Sequence, residues 1–303
     1  MQQIPNQNQC ELSVIVPVSN MAGRLESFSK WIRETSEYPI EVIVEHDKCD
    51  IETGIELKKL LDFIGNPRIF LLDGKYNGPG GARNAGLKLA SAEWISFWDS
   101  DDSINLELVF SNLRSLADSS TEIIIGGYTV VNLTNGKNSK LEISLEKSKA
   151  LLAVALNPGL WRMQFRRHLI NNIEFHELYM GEDQLFLVDL QIWSKKITFV
   201  NNSGYTYHKN RLGQLTLNKA KVNDLILATK ILSEEFFQTP SKLELYDLII
   251  LVRQNVTILI HAKFWIKLTS IKLLVKLSFR AILTRNRGFF KAIYLVLRYG
   301  ITI

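Results

Sequence analysis

Three carboxylates stand close together about one third of the way along this chain. Asp99, Asp101 and Asp102 directly follow Trp94–Trp98, an apolar run with the pattern of a buried β-strand. Open α/β sheets bind ligands at the carboxyl ends of their strands, so we expect the acids at such an edge. Like charges this close repel one another, and a hard divalent cation relieves that repulsion. A metal-dependent phosphate site is the first hypothesis, and an acidic turn capping a helix that begins near Leu106 is the alternative.

A glycine-rich stretch offers a second place for an anion. Residues 78–81 read Gly-Pro-Gly-Gly and lead into Arg83 and Asn84 at the start of a predicted helix. Glycines let the backbone approach a ligand closely, a helix N-terminus presents N–H groups to anionic oxygen, and Arg83 adds a fixed positive fork. A diphosphate fits such a site, whereas the alternative is a loop whose glycines only turn the chain.

The pattern around these motifs alternates strands with helices, which predicts a mostly parallel sheet covered on both faces. Strands are predicted at Leu12–Pro17, Ile40–Glu45, Arg68–Leu72, Trp94–Trp98, Glu122–Val131 and Lys196–Val200. Helices are predicted at Ala22–Glu34, Ile51–Phe63, Gly80–Ala90, from Leu106, at Leu145–Leu156, at Asp183–Trp193 and over most of residues 219–303. The fold class is therefore α/β, Rossmann-like, with a C-terminal helical extension.

Composition sets the remaining bounds. The 303 residues are 46% hydrophobic, which is typical of a folded globular chain. The two cysteines, Cys10 and Cys49, form neither a disulfide framework nor a metal-ligand spacing, which fits a reducing compartment. Residues 1–9 lack the basic start and apolar core of a signal peptide, and charges interrupt every long apolar window. We expect a cytoplasmic protein that does not cross a membrane.

The charge of +5 is divided very unevenly along the chain. Asp247 is the last acid, so residues 248–303 hold ten Lys or Arg and carry +10, against −5 for the preceding residues. In this tail Lys272, Lys276 and Arg280 share one helical stripe. Much of the remaining helix surface is apolar: Leu273, Leu274, Leu277 and Ala281.

This pattern favours peripheral contact of residues 263–303 with the inner face of the cell membrane, because anionic headgroups attract cations. Nucleic acid is not expected as a partner, since the tail is rich in Leu, Ile and Phe. The alternative is a helical hairpin that packs on the catalytic domain or on a twin subunit of a homo-oligomer.

Residues 11 to about 215 together resemble an inverting glycosyltransferase of family 2, with the GT-A fold. Residues 13–20, Ser-Val-Ile-Val-Pro-Val-Ser-Asn, resemble its first strand and nucleotide loop, which implies that Pro17 and Val18 lie at the donor. Residues 41–47 resemble its second strand, whose final Asp reads the nucleobase; that residue is Asp47 here. His46 stands where the family commonly has another Asp.

The resemblance also assigns the two anion motifs. Residues 77–86 are similar to the family's glycine-rich loop and Ala-Arg-Asn-x-Gly helix start, which implies donor contacts from Gly81, Arg83 and Asn84. The run 99–101 is identified as the family's Asp-x-Asp. It implies that Asp101 binds Mn²⁺ or Mg²⁺ and that Asp99 and Ser100 lie at the donor. The metal would offset charge on the departing nucleotide, and Asp102 ranks lower, as a helix cap or an orienting acid.

Residues 181–183, Gly-Glu-Asp, resemble the family's acceptor-side motif. An inverting transfer needs a carboxylate to take the proton of the attacking hydroxyl, and Asp183 is the residue that the resemblance implies. Glu182 is the alternative base or an acceptor ligand, and both acids could instead favour only the helix dipole.

His208, after a short strand, is the predicted second metal ligand, with Lys209 or Arg211 beside the phosphates, unless it is a structural histidine. Trp161 is a weaker acceptor-site candidate, and Phe165, four residues on, is assigned to the core.

The predicted division is a GT-A domain at 1–215, with nucleotide-binding residues 11–103 and acceptor-binding residues 104–215, and a basic helical extension at 216–303. The resemblance implies transfer of a sugar from a nucleoside-diphosphate donor, most simply UDP-linked, to a glycan or lipid-linked hydroxyl in surface polysaccharide synthesis. Two alternatives stay open. One is a haloacid-dehalogenase-like phosphatase, although three strands precede the Asp strand here, and the other is a nucleotide-sugar-binding protein without turnover.

Overall fold

A computed structural model describes residues 10–48, 50–116, 120–210 and 224–300. The strands are β1 Leu12–Val18, β2 Ile40–Asp47, β3 Ile69–Gly74, β4 Trp94–Phe97, β5 Ser103–Ile104, β6 Ile123–Gly126, β7 Tyr128–Asn132, β8 Asn138–Leu141, β9 Met163–Arg166, β10 Ile197–Val200 and β11 Tyr205–Lys209. The α-helices are α1 Glu26–Glu34, α2 Ile51–Ile64, α3 Gly78–Leu87, α4 Leu106–Ser115, α5 Lys147–Leu156, α6 Glu182–Asp189, α7 Leu225–Gln238, α8 Leu245–His261, α9 Phe264–Leu283 and α10 Arg287–Tyr299.

The central sheet has seven strands in the order β10-β6-β9-β4-β1-β2-β3. β1 lies between β4 and β2 and is parallel to both, and β2 is parallel to β3. β9 alone runs antiparallel to its neighbours, β4 and β6. The mostly parallel α/β sheet predicted from the sequence is thereby confirmed, and the parallel direction brings the ends of β1, β2 and β4 to one edge.

The alternation of side chains along β1 and β2 explains how the sheet is covered. Leu12, Val14 and Val16 belong to a buried cluster that also holds Trp31 of α1 and Phe110 of α4. On the other face, Gly86 brings α3 close, because a Cβ there would lie only 2.8 Å from Ile15 Cγ2. Helices thus cover both faces, which is why these strands are apolar on both sides.

A second sheet of four strands, in the order β5-β11-β7-β8, contains the residues just beyond the Asp-x-Asp run. The single strand predicted at Glu122–Val131 was wrong: β6 and β7 belong to different sheets. The chain breaks at Gly126 and Gly127, where a Cβ would come 2.5 Å from the Ser203 backbone N and 2.7 Å from the Leu141 carbonyl oxygen. Only glycines permit backbone this close, so the strand ends there.

The described residues fall into two compact units. One lies within Met1–Leu145, Gly159–Glu177 and Lys195–Leu212 and contains both sheets with α1–α4. The other lies within Glu146–Pro158, Leu178–Ser194 and Gly213–Ile303 and contains α5–α10. The units therefore differ from the predicted domains, because α5 and α6 group with the C-terminal helices. The functional division of the chain stays a prediction.

In the helical unit, α8 contacts α5, α7, α9 and α10. A buried polar pair joins two of these helices, because the Ser270 hydroxyl of α9 donates to Asn255 Oδ1 of α8 at 2.8 Å. Among the helices that the structure describes, none combines the length and the apolar character that a membrane span requires.

Candidate active site

The acidic turn after β4 is anchored by its last acid. Asp102 is fully buried, and its oxygens accept from the Tyr205 hydroxyl at 2.6 Å and the His208 backbone N–H at 2.7 Å. The Tyr205 oxygen accepts from the Asp99 N–H at 3.2 Å. Burial raises the pKa of the Asp102 carboxyl well above its usual range, and the charges of Asp101 and Asp99 add to that rise. β11 therefore fixes the turn at both ends.

Of the two roles predicted for Asp102, the structure gives it the orienting one. The helix cap is Asn105, whose side-chain oxygen accepts from the Leu108 N–H at 2.9 Å. Sequence reasoning missed Tyr205 altogether. Its position three residues before His208 in a strand-forming run was the available signal, but nothing in the sequence pairs it with Asp102.

His208 lies inside β11 and not after a short strand. Its Nδ1 stands 3.2 Å from the Asp101 carbonyl oxygen, which can only accept, so Nδ1 carries a proton. In the neutral ring the lone pair is then on Nε2, which is the form that a metal ligand needs. Lys209, the next residue, is exposed, and Arg211 lies outside the described residues.

The acids of the turn do not form a complete metal cage. In the part of the chain that the structure covers, no group of three or more His, Cys, Asp or Glu side chains is placed to hold a metal ion. Magnesium-type sites commonly take one or two carboxylates and complete their shell with substrate phosphates and water. Asp101 and His208 fit a site of that kind, in which the substrate supplies further oxygens.

Arg83 joins α3 to the acidic turn. Its buried guanidinium donates from Nη2 to Asp99 Oδ1 at 3.2 Å and lies over the Phe175 ring at 5.5 Å. The Asp99 side chain remains 37% exposed, and Ser100 is buried. The structure thus brings two of the predicted donor residues, Arg83 and Asp99, into direct contact.

The two glycines at positions 80 and 81 differ in how closely the protein packs against them. α3 begins at Gly78, and a side chain at Gly80 would collide with the His176 carbonyl. A Cβ at Gly81 would meet only ordinary contacts, the nearest being Glu177 Cγ at 3.6 Å. Of these two positions, only position 80 must be glycine because of close packing within the protein.

Asn84, predicted to bind the donor, has its carboxamide engaged by the protein. Asn84 Nδ2 donates to the Phe175 carbonyl at 2.8 Å, and the Phe175 N–H donates to Asn84 Oδ1 at 2.7 Å. This pair of bonds fixes the segment that carries the Phe175 ring beneath Arg83. Asn84 therefore positions this segment, and its predicted donor contact stays a prediction.

The loops after β1 and β2 are tied to the start of α2. Pro17 and Val18 end β1, and beyond them the Met21 and Ala22 N–H groups both donate to Thr53 Oγ1, at 2.8 and 2.9 Å. The Asn20 N–H donates to the Asp50 carboxylate, with Asn20 in the left-handed region at φ 54°. The segment that follows Pro17 and Val18 is therefore held by side chains of α2 and its cap.

His46 links the end of β2 to the two neighbouring segments. Its Nδ1 lies 2.8 Å from Asp73 Oδ1 and its Nε2 lies 2.8 Å from the Asp50 carbonyl. The Asp73 carboxylate oxygen and the Asp50 carbonyl oxygen are both acceptors, so a ring nitrogen that carries a proton donates to either one. Asp47, the predicted base-reading residue, follows His46 as the half-buried last residue of β2.

A buried acid that sequence reasoning did not single out lies behind Arg83. Glu45 is 1% exposed, and neither carboxyl oxygen has a hydrogen-bond partner among the described residues. Burial raises the pKa of Glu45 well above its usual range, and the charge of Arg83 opposes that rise. An acid within the mostly apolar run Ile40–Glu45 was the signal, which Glu45 shares with Glu41.

The Gly-Glu-Asp turn belongs to the helical unit. Gly181 adopts φ 90° at the start of α6, and a Cβ there would lie 2.7 Å from Ala228 Cβ of α7. Glu182 is buried, and the half-buried Asp183 accepts at Oδ1 from the Gln184 N–H at 2.8 Å. α7 therefore packs directly against the turn that carries both predicted acceptor-side acids.

A residue on α8 also holds this turn. The Gln254 amide, 1% exposed, donates from Nε2 to Gln184 Oε1 at 2.9 Å. Gln254 lies 70 positions beyond Gln184 in the chain, and sequence reasoning missed it. A glutamine in the apolar helix α8 was the only local signal.

Trp161 has packing contacts on several sides. Its ring stacks on Tyr205 at 4.6 Å and Tyr207 at 5.8 Å, and Tyr128 meets it edge-on at 4.5 Å. Phe165, fully buried in β9, confirms its predicted place in the core. The contacts of Trp161 support the ring of Tyr205, and its predicted acceptor role stays a prediction.

Comparison with known proteins identifies the family of the chain. The family model "Glycosyl transferase family 2" matches residues 13–184, more than half of the chain. The chain therefore belongs to glycosyl transferase family 2 and is a glycosyltransferase.

Two curated bacterial relatives are informative. GalNAc(5)-diNAcBac-PP-undecaprenol beta-1,3-glucosyltransferase of Campylobacter jejuni is 28% identical over 215 residues, which are 70% of this chain and 69% of that protein. Poly(ribitol-phosphate) beta-N-acetylglucosaminyltransferase TarS of Staphylococcus aureus is 25% identical over 214 residues, 67% of this chain and 36% of TarS. The match thus spans about a third of TarS.

Solved structures show the same fold. S. aureus TarS 1–349 in complex with UDP-GlcNAc matches with a TM-score of 0.65 at 19% identity, over 96% of this chain and 92% of that one. The mannosyltransferase PcManGT from Pyrobaculum calidifontis, in complex with GDP-Man and Mn²⁺, matches with a TM-score of 0.54 at 12% identity, over 99% and 89%. The GT-A fold expected from the sequence is thereby confirmed.

Proposed function

We propose that this glycosyltransferase is an inverting enzyme. It moves a sugar from a nucleoside-diphosphate donor, most simply UDP-linked, to a glycan or lipid-linked hydroxyl in bacterial surface polysaccharide synthesis. The observation that carries the proposal is the buried Tyr205–Asp102 anchor, which holds the acidic turn beside Arg83. The names of the Campylobacter and Staphylococcus relatives support the class of reaction and of acceptor.

The donor site is proposed at the ends of β1, β2 and β4. Pro17, Val18 and Asp47 would receive the nucleoside, while Arg83, with Gly81 at the start of α3, would face the diphosphate. Asp99 would lie near the ribose of the donor or a water beside the metal, and Ser100 would line the same donor site. The pairing of Arg83 with Asp99 at 3.2 Å supports this arrangement, since the same guanidinium can turn to phosphate oxygens.

A divalent ion, Mn²⁺ or Mg²⁺, is proposed at Asp101 with His208. When bound, the ion would supply Lewis-acid stabilisation of the charge on the departing nucleoside diphosphate. The bond from His208 Nδ1 to the Asp101 carbonyl supports the assignment, because it holds the ring in the tautomer that a ligand needs. PcManGT, which carries Mn²⁺ in its structure, supports it at the level of a shared fold.

Asp183 is proposed as the base that takes the proton of the acceptor hydroxyl. It is half-buried at the N-terminus of α6, whereas Glu182 is buried. Glu182 is the alternative base or an acceptor ligand. The glycosyltransferase family leaves no support for the phosphatase hypothesis.

We also propose that residues 263–303 contact the inner face of the membrane that carries a lipid-linked acceptor. The absence of acids after Asp247, together with the ten Lys and Arg of residues 248–303, supports that contact.

The test is a thermal-shift screen of nucleotide sugars with and without Mn²⁺, because a ligand that binds only the folded state raises the melting temperature. We expect a shift with a UDP-sugar that needs Mn²⁺ and disappears in Asp101→Ala. Asp183→Asn should keep the shift and lose transfer to an acceptor glycan. Asp62→Asn, an exposed acid on α2, is the matched control and should keep both. Loss of the shift in Asp183→Asn to the same degree as in Asp101→Ala would contradict these roles.

A further inference from the structure

The outward face of α9 carries an uninterrupted row of exposed apolar side chains. Its inner face, Ser270, Leu277 and Ala281, is buried within the helical unit. On the opposite side lies a row, called here the outer apolar stripe, whose members are 47% to 66% exposed: Phe264, Ile271, Val275, Phe279 and Ile282. Intervals of 7, 4, 4 and 3 residues align these positions along one side of a helix. Monomeric proteins rarely expose so continuous an apolar surface, which marks a site of interaction.

The apolar residues that face outward are not those that the sequence indicated. Leu277 and Ala281 are fully buried, and the Arg280 guanidinium donates to the Phe237 carbonyl at 2.8 Å within the helical unit. α9 is apolar on both sides, so periodicity could not tell the packed side from the exposed one. Lys272 and Lys276 remain exposed, and both lie along one edge of the outer apolar stripe.

The neighbouring helix α10 continues the same chemistry. Its inner residues Phe289, Ala292 and Val296 are fully buried, while three cations on the other side are exposed: Arg287, Lys291 and Arg298. Next to these cations lie Phe290, 43% exposed, and Tyr294, 53% exposed. Trp265 at the start of α9 is 77% exposed. Aromatic side chains with a polar atom, set beside cations and apolar residues, are typical of a helix at a membrane–water interface.

Charge decides between the possible occupants of this surface. Because α9 and α10 hold no acid, two copies of the chain that met through this same surface would bring like charges together and repel each other. An anionic bilayer offers both partners that the surface lacks, negative headgroups for the cations and hydrocarbon for the outer apolar stripe.

We infer that α9 lies flat in the interface of an anionic phospholipid bilayer, with the outer apolar stripe in the acyl region and Lys272, Lys276 and the α10 cations at the headgroups. The inference deepens the proposed function and rests on it for its meaning, because a lipid-linked acceptor is reached from a membrane surface. The binding itself requires neither donor nor acceptor. Its test therefore remains valid if the proposed transfer reaction is wrong.

The experiment is flotation of the full chain with liposomes of phosphatidylcholine alone or with about one third phosphatidylglycerol. We expect flotation with the anionic liposomes only. The double variant Val275→Ser with Phe279→Ser should reduce the bound fraction at least tenfold, and Lys272→Gln with Lys276→Gln should remove the preference for anionic lipid. Ile51→Ser with Ile55→Ser, two exposed apolar residues of α2, is the matched control and should float like the parent.

Circular dichroism of each variant checks that the helices are retained, and the changed side chains are all exposed. Flotation of the Val275/Phe279 variant equal to that of the parent would overturn the inference. So would a parent chain that does not float but forms a dimer which the same variant abolishes, since the stripe would then be a contact between copies.

Discussion

Tyr205 and Asp102 are 103 positions apart in the chain, yet the Tyr205 hydroxyl donates to Asp102 Oδ2 at 2.6 Å in the buried interior. The same hydroxyl oxygen accepts the Asp99 N–H, so one phenol ties together both ends of the acidic turn. Tyr205 was not predicted as a ligand of the donor or the acceptor. Its hydroxyl nevertheless fixes the position of the turn that carries Asp99 and Asp101. The candidate metal site depends on the packing of β11 as much as on its own acids.

Removing that hydroxyl tests the anchor. Tyr205→Phe leaves the buried Asp102 oxygen without its donor, so we expect a loss of about 1–3 kcal/mol in the free energy of unfolding. The Mn²⁺-dependent thermal shift with a UDP-sugar should also shrink, because the turn is no longer fixed. Urea unfolding and the thermal-shift titration measure the two effects. Tyr38→Phe, a half-buried tyrosine stacked on Phe110, is the control and should retain the shift. An unchanged urea midpoint in Tyr205→Phe would count against the anchor.

The contact between His46 and Gly54 gives a second prediction. A Cβ at Gly54 would lie 2.5 Å from His46 Cε1, so Gly54→Ala must displace the imidazole from Asp73 and the Asp50 carbonyl. Because these bonds hold the segment around Asp47, we expect the donor dissociation constant to rise about fivefold, equivalent to about 1 kcal/mol. Calorimetric titration with the donor nucleotide measures it. Ile55→Ala, an exposed neighbour on the same helix, should bind like the parent, and equal affinities for all three proteins would refute the role of His46.

Asp247 predicts how stability depends on pH. Burial raises the pKa of Asp247 from 3.8 to about 6, against the bond from Trp193 Nε1 at 2.5 Å. Between pH 3.8 and about pH 6 the Asp247 carboxyl loses its proton in the unfolded chain but keeps it in the folded chain. The contribution of Asp247 to the free energy of unfolding therefore falls as pH rises and is lost above about pH 6. The full difference is about 3 kcal/mol, from about 1.4 kcal/mol for each unit of pKa.

Asp247→Asn removes this titration. Asn keeps only one acceptor oxygen for the Trp193 and Glu244 N–H groups, so it loses one bond at every pH. The quantity to measure is therefore how the difference in the free energy of unfolding between variant and parent changes with pH. We expect the variant to gain about 2.4 kcal/mol relative to the parent between pH 4 and pH 7.5, measured by urea unfolding, because part of the titration of the unfolded carboxyl lies below pH 4. Glu234→Gln, an exposed acid on α7, should show no such gain, and a difference that is constant with pH would contradict the assignment.

Gly181 gives a matched pair of glycine substitutions. Gly136 and Gly181 both have positive φ, 66° and 90°, but a Cβ at Gly136 would meet nothing within 4 Å. Gly136→Ala should therefore cost only the backbone term of about 1–2 kcal/mol. Gly181→Ala should cost more and reduce transfer activity, because the new methyl group collides with Ala228 and displaces the turn that carries Asp183.

A second-site change makes this prediction specific. Ala228→Gly removes the methyl group that lies 2.7 Å from the added Cβ, so it should restore part of the stability and activity lost in Gly181→Ala. Thermal melts and a transfer assay measure the two recoveries. If Ala228→Gly restores neither, the collision is not the cause of the loss.

Much of the fold was predictable because its signals are local. β1, β2 and β4 are short runs of apolar residues, and the structure places them within two residues of the predicted bounds. α2 begins at the predicted Ile51, where Asp50 caps it. β5 and β9 escaped prediction because they are short and are defined by their partners, as when Phe165 pairs with Ile123 and Ile95.

The sequence by itself determined the class of fold and the types of residue at the candidate site. Alternating apolar strands and helices specify a parallel sheet, and an acidic run directly after a buried strand lies at its carboxyl edge because the strand ends there. Only the tertiary structure decided that Asp102 is bonded to Tyr205, that Gln254 holds Gln184, and that Val275 and Phe279 face outward while Leu277 is buried. The physical reason is common to all three. Each depends on contacts between segments distant in the chain, or on which side of an apolar helix packs, and local periodicity does not encode either.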